Sequence, residues 1–257
     1  MAVAETAVRR RVLVTGGARG LGRAMVEALA ADGYDVTFTY NASSAPAQAL
    51  VDELGSIHPA GSFEARALDL SSRAAVDSFV AAIEEEEPFY GFVHNAGLPY
   101  DSLAAVMDQD RAEQSMQVNF WSLTRLAGGL VRRMTRARAG RIVVVGSVVA
   151  LRGSVGNAAY AASKAAILGY ARTLAMETAK RGVTVNYIAP GFIDTDMMAP
   201  YADYRQRMEQ QIPVGRFATP QEIAAVVPFL LSPAAGYITG AVVPVDGGLT
   251  AAMPVHR

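Results

Sequence analysis

Cysteine is absent from the chain, which excludes both a disulfide framework and a thiolate metal site. The three histidines, His58, His94 and His256, are too scattered to gather round one ion, so no metal is expected. Lysine is nearly missing as well: Lys164 and Lys180 stand against twenty-one arginines. The net charge of -1 and pI near 6.3 exclude a bulk attraction to nucleic acid or anionic membrane. No apolar run approaches the roughly 18 residues of a membrane span, and Met1 to Arg11 has no apolar segment long enough for a signal peptide. Neither nucleic acid nor membrane is therefore expected as a partner, and cytoplasm is the default compartment. Acids are missing between Glu113 and Glu177, a stretch that holds Arg125, Arg132, Arg133, Arg136, Arg138, Arg141, Arg152, Lys164 and Arg172.

What is present suits one large core. At 257 residues and 51% hydrophobic content, the chain can bury its apolar face as a single α/β unit. Strand-like runs at Arg11 to Thr15, Val36 to Tyr40, Phe63 to Asp69, Gly91 to His94, Arg141 to Ser147, Val183 to Ile188 and Val242 to Val245 alternate with helical stretches. Such alternation predicts a parallel sheet with right-handed crossovers, a doubly wound Rossmann-type α/β domain with helices on both faces. No linker, repeat or low-complexity tract divides the chain, so 1–257 is expected to be one domain. The run Glu84 to Glu87, stopped by Pro88, reads as a solvated helix end.

Two motifs carry chemistry. Tyr160 and Lys164 are spaced i, i+4, which puts a phenol and an ammonium on one helix face, downstream of Ser147 at the end of the run Ile142 to Gly146. A nearby cation favours phenolate and lowers a tyrosine pKa from about 10 toward a usable acid. The same pair also occurs on ordinary solvated helices. Near the start, Thr15-Gly16-Gly17-Ala18-Arg19-Gly20-Leu21-Gly22 lies between an apolar strand and an amphipathic helix from Leu21 to Asp32. Glycines there let backbone approach a pyrophosphate, while the helix N-terminus supplies N–H groups and a favourable dipole. The spacing departs from the usual G-x-G-x-x-G fingerprint, and a plain glycine turn would look alike.

Together these residues resemble the short-chain dehydrogenase/reductase family over nearly the whole chain. Thr15 to Gly22 matches the family's T-G-x3-G-x-G, Tyr160 and Lys164 its Y-x3-K, Ser147 its serine and Asn119 its helix-borne asparagine. Asp69, the Asn95-Ala96-Gly97 turn, Pro190-Gly191 with Thr195, and Asp246-Gly247-Gly248 match further. His94 departs from the family, which usually has a second Asn there; its inward position suggests a change of packing more than of chemistry.

The second strand ends Thr39-Tyr40-Asn41 without the acid that NAD binders place there. Arg19, Ser43 and Ser44 could instead receive a 2'-phosphate, which predicts NADPH. Arg19 could equally point into water. Asp69 is expected on the adenine amino group, or else as a helix cap. The resemblance implies that Gly16, Gly20, Leu21, Gly22, Tyr40, Asn41, Leu70, Asn95, Ala96, Gly97, Pro190, Gly191, Ile193 and Thr195 also border the cofactor. It implies Tyr160 as proton donor, Ser147 as second hydrogen-bond donor, Lys164 as the cation that lowers the tyrosine pKa and holds the ribose, and Asn119 as anchor of a proton-resupplying water.

Several stretches resemble bacterial 3-oxoacyl-carrier-protein reductases, among them Gly146 to Val149, Pro190 to Met197, Pro213 to Arg216 and Tyr237 to Gly240. That implies reduction of a 3-oxoacyl thioester in fatty-acid or polyketide-type synthesis. The alternatives are a dehydrogenase of a free small alcohol or ketone, and a non-catalytic nucleotide sensor. Acyl carrier proteins are acidic, so Arg132, Arg133, Arg136 and Arg138, with Lys180 and Arg181, form a candidate docking patch beside the cleft. Subunit contacts or helix-end pairing would explain the same arginines. The resemblance also implies a substrate lid over about 192–215 and a homotetramer built on long helices such as Ala158 to Met176.

Overall fold

The computed structural model describes residues 9–252, so His256 lies outside the described residues. Seven strands form one sheet in the order β3-β2-β1-β4-β5-β6-β7: β1 Arg11–Thr15, β2 Asp35–Tyr40, β3 Phe63–Ala67, β4 Gly91–His94, β5 Gly140–Val145, β6 Val183–Pro190 and β7 Val242–Val245. Every pairing is parallel. The order reverses between β1 and β4, which leaves a crevice at the carboxyl ends of those strands.

Alternation along the strands divides the core between the two faces. Leu13, Phe92, Ile142 and Tyr187 pack against residues of α3 Arg73–Glu84, α5 Ser122–Ala137 and α6 Ala158–Thr178. Val12, Val14, Phe38 and Val143 point the other way, onto α1 Gly20–Ala31, α2 Ser44–Ile57, α8 Pro220–Ala224 and α9 Val226–Leu231. All eight residues of β6 are buried, including Thr184 and Asn186. Asn186 donates to the Ile238 carbonyl and accepts from Ala241 N–H. Thr184 Oγ1 is the one buried side-chain polar atom without a partner among the described residues.

Three expectations change at element ends. β3 stops at Ala67 rather than Asp69, because Asp69 Oδ1 turns the chain by accepting from Ser71 N–H at 2.9 Å and its hydroxyl at 2.7 Å. Ser72, not Asp69, caps α3 by accepting from Ala75 N–H at 3.2 Å. The acidic run is not wholly solvated: Glu86 pairs with Arg66 at 2.5 Å and Arg11 at 3.1 Å, tying the end of α3 to strands β3 and β1. Those two guanidinium groups hold the Glu86 carboxyl below its ordinary pKa.

Asn119 does not sit in a regular helix. Between α4 Gln109–Met116 and α5 runs a π turn, Gln117–Trp121, of the kind that breaks the helical ladder at functional sites. The segment expected as a lid forms a 3-10 stretch, Asp196–Tyr204, and α7 Arg205–Glu209. Its roots are clasped where Asp194 N–H donates to Ala218 O and Ala218 N–H to Phe192 O. Among the described residues no helix is long and apolar enough to cross a membrane, and no group of acids and histidines is placed to hold a metal.

Candidate active site

Strand β1 delivers Thr15 fully buried to the crevice, where its hydroxyl accepts from Asn95 N–H and Ala96 N–H, both at 3.1 Å. Gly16 follows with φ +69° and Gly20 with φ +53°, so the chain turns tightly before α1. At Gly22 a Cβ would lie 1.9 Å from the Gly16 carbonyl oxygen, so no other residue fits the approach of α1 to this turn. Asn95 fastens the turn by donating Nδ2 to the carbonyls of Thr15 and Gly16. Its amide nitrogen is therefore committed to the fold.

The rim of this crevice carries the other residues read as cofactor contacts. Arg19 is exposed and makes no ion pair or side-chain hydrogen bond among the described residues. Tyr40 is half-buried at the end of β2 and is followed by exposed Asn41, while Ser43 precedes α2 without capping it. Asp69 uses Oδ1 in its own turn, and buried Leu70 follows it. Pro190 ends β6, Gly191 donates its N–H to Val245 O at 3.0 Å, and Ile193 bridges to Ala218. Thr195 comes close enough to Gly20 that a Cβ there would meet its methyl at 3.7 Å. Leu21, Ala96 and Gly97 are only partly buried along the same edge.

The second motif approaches from β5 and α6. Gly146 is a steric requirement: a Cβ there would overlap the Tyr187 ring at 1.7 Å. With that side chain absent, the buried Tyr187 hydroxyl accepts from Ser147 N–H at 3.0 Å and reaches the carbonyls of Ser147 and Lys164 at 3.4 and 3.3 Å. One phenol thus sets the backbone of two candidate catalytic residues. Burial pushes the Tyr187 pKa up to about 12, so it stays a neutral structural donor. Tyr187 was missed from sequence; the available signal was a glycine inside an apolar strand, which marks a close approach.

On α6, Lys164 is only 2% exposed and donates Nζ to the Val145 carbonyl at 2.9 Å. Its ammonium lies over the Tyr160 ring, 5.6 Å from the ring centre, with its hydrogen bond directed to Val145 and not to the phenol. Burial lowers the Lys164 pKa to about 8. The expected depression of the Tyr160 pKa is overturned: burial raises it above its ordinary value, and the neighbouring Tyr187 and Asp101 add to the rise. The cost of removing a phenolate from water is the largest cause of the rise.

Asn119 is fully buried and its side chain is saturated. Leu98 N–H donates to Oδ1 at 2.7 Å, and Nδ2 donates to Ser163 Oγ at 2.8 Å, to Ser115 Oγ at 3.2 Å and to Leu98 O at 3.2 Å. Ser163 Oγ in turn donates to the Tyr160 carbonyl at 2.7 Å, so Asn119 is tied to the turn of α6 that bears Tyr160. A Cβ on Gly97 would stand 3.2 Å from Lys164 Nζ and 3.4 Å from Asn119 Oδ1, so these groups face one small gap. His94 lies inward as expected, and it hydrogen-bonds through both ring nitrogens, to Thr15 Oγ1 at 3.2 Å and Asn119 O at 3.1 Å.

A family model described as enoyl-(acyl carrier protein) reductase matches residues 16–250. The chain belongs to the short-chain dehydrogenase/reductase family. It is 42% identical over 241 residues to a 3-oxoacyl-[acyl-carrier-protein] reductase of Vibrio cholerae serotype O1, covering 92% of this chain and 96% of that one. It is 41% identical over 244 residues to the protein of that description from Mycobacterium tuberculosis strain H37Rv, covering 94% and 93%. Among solved structures, a blue fluorescent protein from a metagenomic library in complex with NADPH superposes with TM-score 0.86 at 35% identity, covering 93% and 97%.

The candidate docking arginines are not beside the cleft. Ser147 follows the carboxyl end of β5, whereas Arg136 and Arg138 lie at the end of α5 that leads into the amino end of that strand. Lys180 and Arg181 follow the far end of α6, whose 21 residues rise about 30 Å from the turn bearing Tyr160. Arg138 Nη2 donates to Lys180 O at 3.3 Å, which joins the two halves of the patch. Arg133 is removed from it, because Nη1 caps α3 at the carbonyls of Ile83 and Glu84, both at 3.0 Å. Arg132 faces Glu84 at 3.8 Å.

Proposed function

We propose that the protein reduces 3-oxoacyl thioesters carried on acyl carrier protein, with NADPH as reductant, in fatty-acid or polyketide-type synthesis. The observation that carries this reading is the meeting of Ser147, Tyr160, Lys164 and Asn119 beside a glycine turn whose one cation, Arg19, is unpaired. The residues fit the reduced dinucleotide: the glycine turn leads into the N-terminus of α1 with room beside Gly20, Arg19 and Ser43 are available to a 2'-phosphate, and β2 ends without a carboxylate to repel it. Relatives named as 3-oxoacyl-carrier-protein reductases, and an NADPH complex of similar fold, support the same reading.

NADPH supplies the hydride when bound. Charge then builds on the substrate oxygen, and the chain must offer donors and a proton there. Tyr160 gives the proton. Its raised pKa keeps the phenol loaded at neutral pH, and the alkoxide formed is a stronger base than phenolate, so transfer runs toward reduction. Ser147 adds a second donor, its backbone fixed by Tyr187. Lys164 contributes positive charge beside the phenol and holds the ribose, while Asn119 anchors the path by which Tyr160 is reloaded.

A carrier docks on Arg136, Arg138, Lys180 and Arg181 and serves the cleft of a neighbouring copy. Exposed side chains suit a homotetramer: Trp121 on the π turn, Met176 on α6, Phe229 on α9 and Tyr237 ahead of the edge strand β7. The stretch 192–215 covers the acyl chain, with Arg205 latching it by a two-pronged bond to Asp194 at 2.8 and 3.0 Å.

Following NADPH absorbance with acetoacetyl carrier protein, acetoacetyl-CoA, a 2-enoyl carrier thioester and free ketones tests the reading. Turnover of both 3-oxo thioesters, the carrier-linked one faster, is expected. Turnover confined to the enoyl thioester or to free ketones refutes it, and an inactive protein that binds NADPH points to a sensor.

A further inference from the structure

The interior side chain that departs from the family pattern has a determinate chemistry. Thr15 Oγ1 already accepts two backbone N–H groups, from Asn95 and Ala96. Both of its lone pairs are occupied, so its proton is directed to His94 Nδ1 at 3.2 Å. Nδ1 is then an acceptor, Nε2 must carry the ring proton, and it donates to the Asn119 carbonyl at 3.1 Å. The ring is fully buried, packed 6.0 Å from Phe92, and the one charged group acting on it is Lys164. A second ring proton would face the Thr15 hydroxyl and bring a cation toward that ammonium; burial with this repulsion lowers the His94 pKa to about 3.

We propose that His94 is a positioning residue for the reduction, a neutral Nε2–H imidazole that braces the Asn119 turn against the phosphate-binding turn. Thr15 is the last residue of β1 and leads straight into Gly16, so one end of the bridge moves with the cofactor cradle. The other end is the Asn119 carbonyl in the π turn, where the regular helical ladder is interrupted. Because the Asn119 amide hydrogens are engaged by Ser163, Ser115 and Leu98, its two oxygens are the groups left to anchor a proton path. His94 donates to the main-chain oxygen and thereby fixes its direction.

This proposal rests on the reductase reading for its kinetic consequence but not for its tautomer. Nitrogen-15 NMR of histidine-labelled protein, with His94 assigned by the signal lost in His94→Asn, should show one ring that stays neutral with Nε2 protonated from about pH 5 to 9. A ring that titrates in that range, or protonates Nδ1 instead, overturns the bridge whether or not the protein reduces thioesters. His94→Phe keeps the ring volume and deletes both bonds. Its kcat should fall about tenfold or more, with the NADPH dissociation constant unchanged within about twofold. The solvent deuterium effect on kcat should grow and the effect of deuterated NADPH shrink, because reloading Tyr160 becomes slow. His94→Asn, a shorter donor, should recover part of the rate and of both isotope effects. A variant that loses only melting temperature, with both isotope effects unchanged, reduces His94 to packing and refutes the proposal.

Discussion

Lys164 directs its ammonium to the Val145 carbonyl at 2.9 Å while standing 5.6 Å from the centre of the Tyr160 ring. The two side chains share a face, as i, i+4 spacing requires, but the cation is anchored to the sheet. It therefore supplies charge beside the phenol without stripping its proton. A reductase needs that division, since its acid must be protonated when the carbonyl arrives.

The pH profile follows from it. Lys164 has a pKa lowered to about 8, whereas Tyr160 is raised above its ordinary value, so rising pH removes the lysine proton first. The kcat/KM for 3-oxo thioester reduction should fall as pH rises through about 8. A profile flat to pH 10 would remove Lys164 charge from the mechanism.

Tyr187→Phe should slow the enzyme without touching substrate. The Ser147 N–H loses its acceptor in a partly buried place, and the Lys164 carbonyl loses a donor. A stability loss of about 1–3 kcal/mol is expected in urea titration, with kcat reduced at unchanged KM for NADPH. Gly146→Ala should be worse on both counts, because its methyl overlaps the Tyr187 ring.

Arg19→Glu should exchange cofactor preference. An unpaired cation at the glycine turn gives way to a carboxylate that repels a 2'-phosphate. The KM for NADPH should rise about tenfold or more while that for NADH changes little. Equal effects on both cofactors would mean that Arg19 does not meet the phosphate.

Reversing Arg136 and Arg181 to Glu separates docking from chemistry. Both lie far from Tyr160 in their own protomer, so acetoacetyl-CoA turnover should persist. Turnover of the carrier-linked substrate should weaken, most at low salt where steering is strongest. Equal losses on the two substrates would discard this surface.

Thr184→Val should stabilise the protein by about 1 kcal/mol, since it removes a buried hydroxyl with no partner and keeps the branched shape. A lower melting temperature would mean that the hydroxyl is satisfied after all.

Much of this was legible in the chain. Short apolar runs alternating with helical stretches marked the seven strands, and the glycine spacing and Y-x3-K spacing marked the two motifs that the crevice between β1 and β4 brings together. Local signals of this kind survive because strand and helix periods are written in neighbouring residues. Long-range contacts are not: Tyr187 reaches back 40 residues to Ser147, and His94 joins Thr15, 79 residues before it, to Asn119. The sign of the Tyr160 shift was misread because charge pairing is visible in spacing whereas desolvation depends on everything packed around the ring. The arginine cluster was read as lying near the cleft because proximity in sequence hides that α5 and α6 run antiparallel to the strands, carrying their ends to the opposite edge.

Tyr160→Phe, assayed with NADPH and acetoacetyl carrier protein beside the unaltered protein, tests the central claim most directly. Removing one oxygen should lower kcat by about a hundredfold or more while NADPH still binds with unchanged affinity. Turnover within about twofold of the unaltered protein would show that the proton comes from elsewhere and would contradict the account.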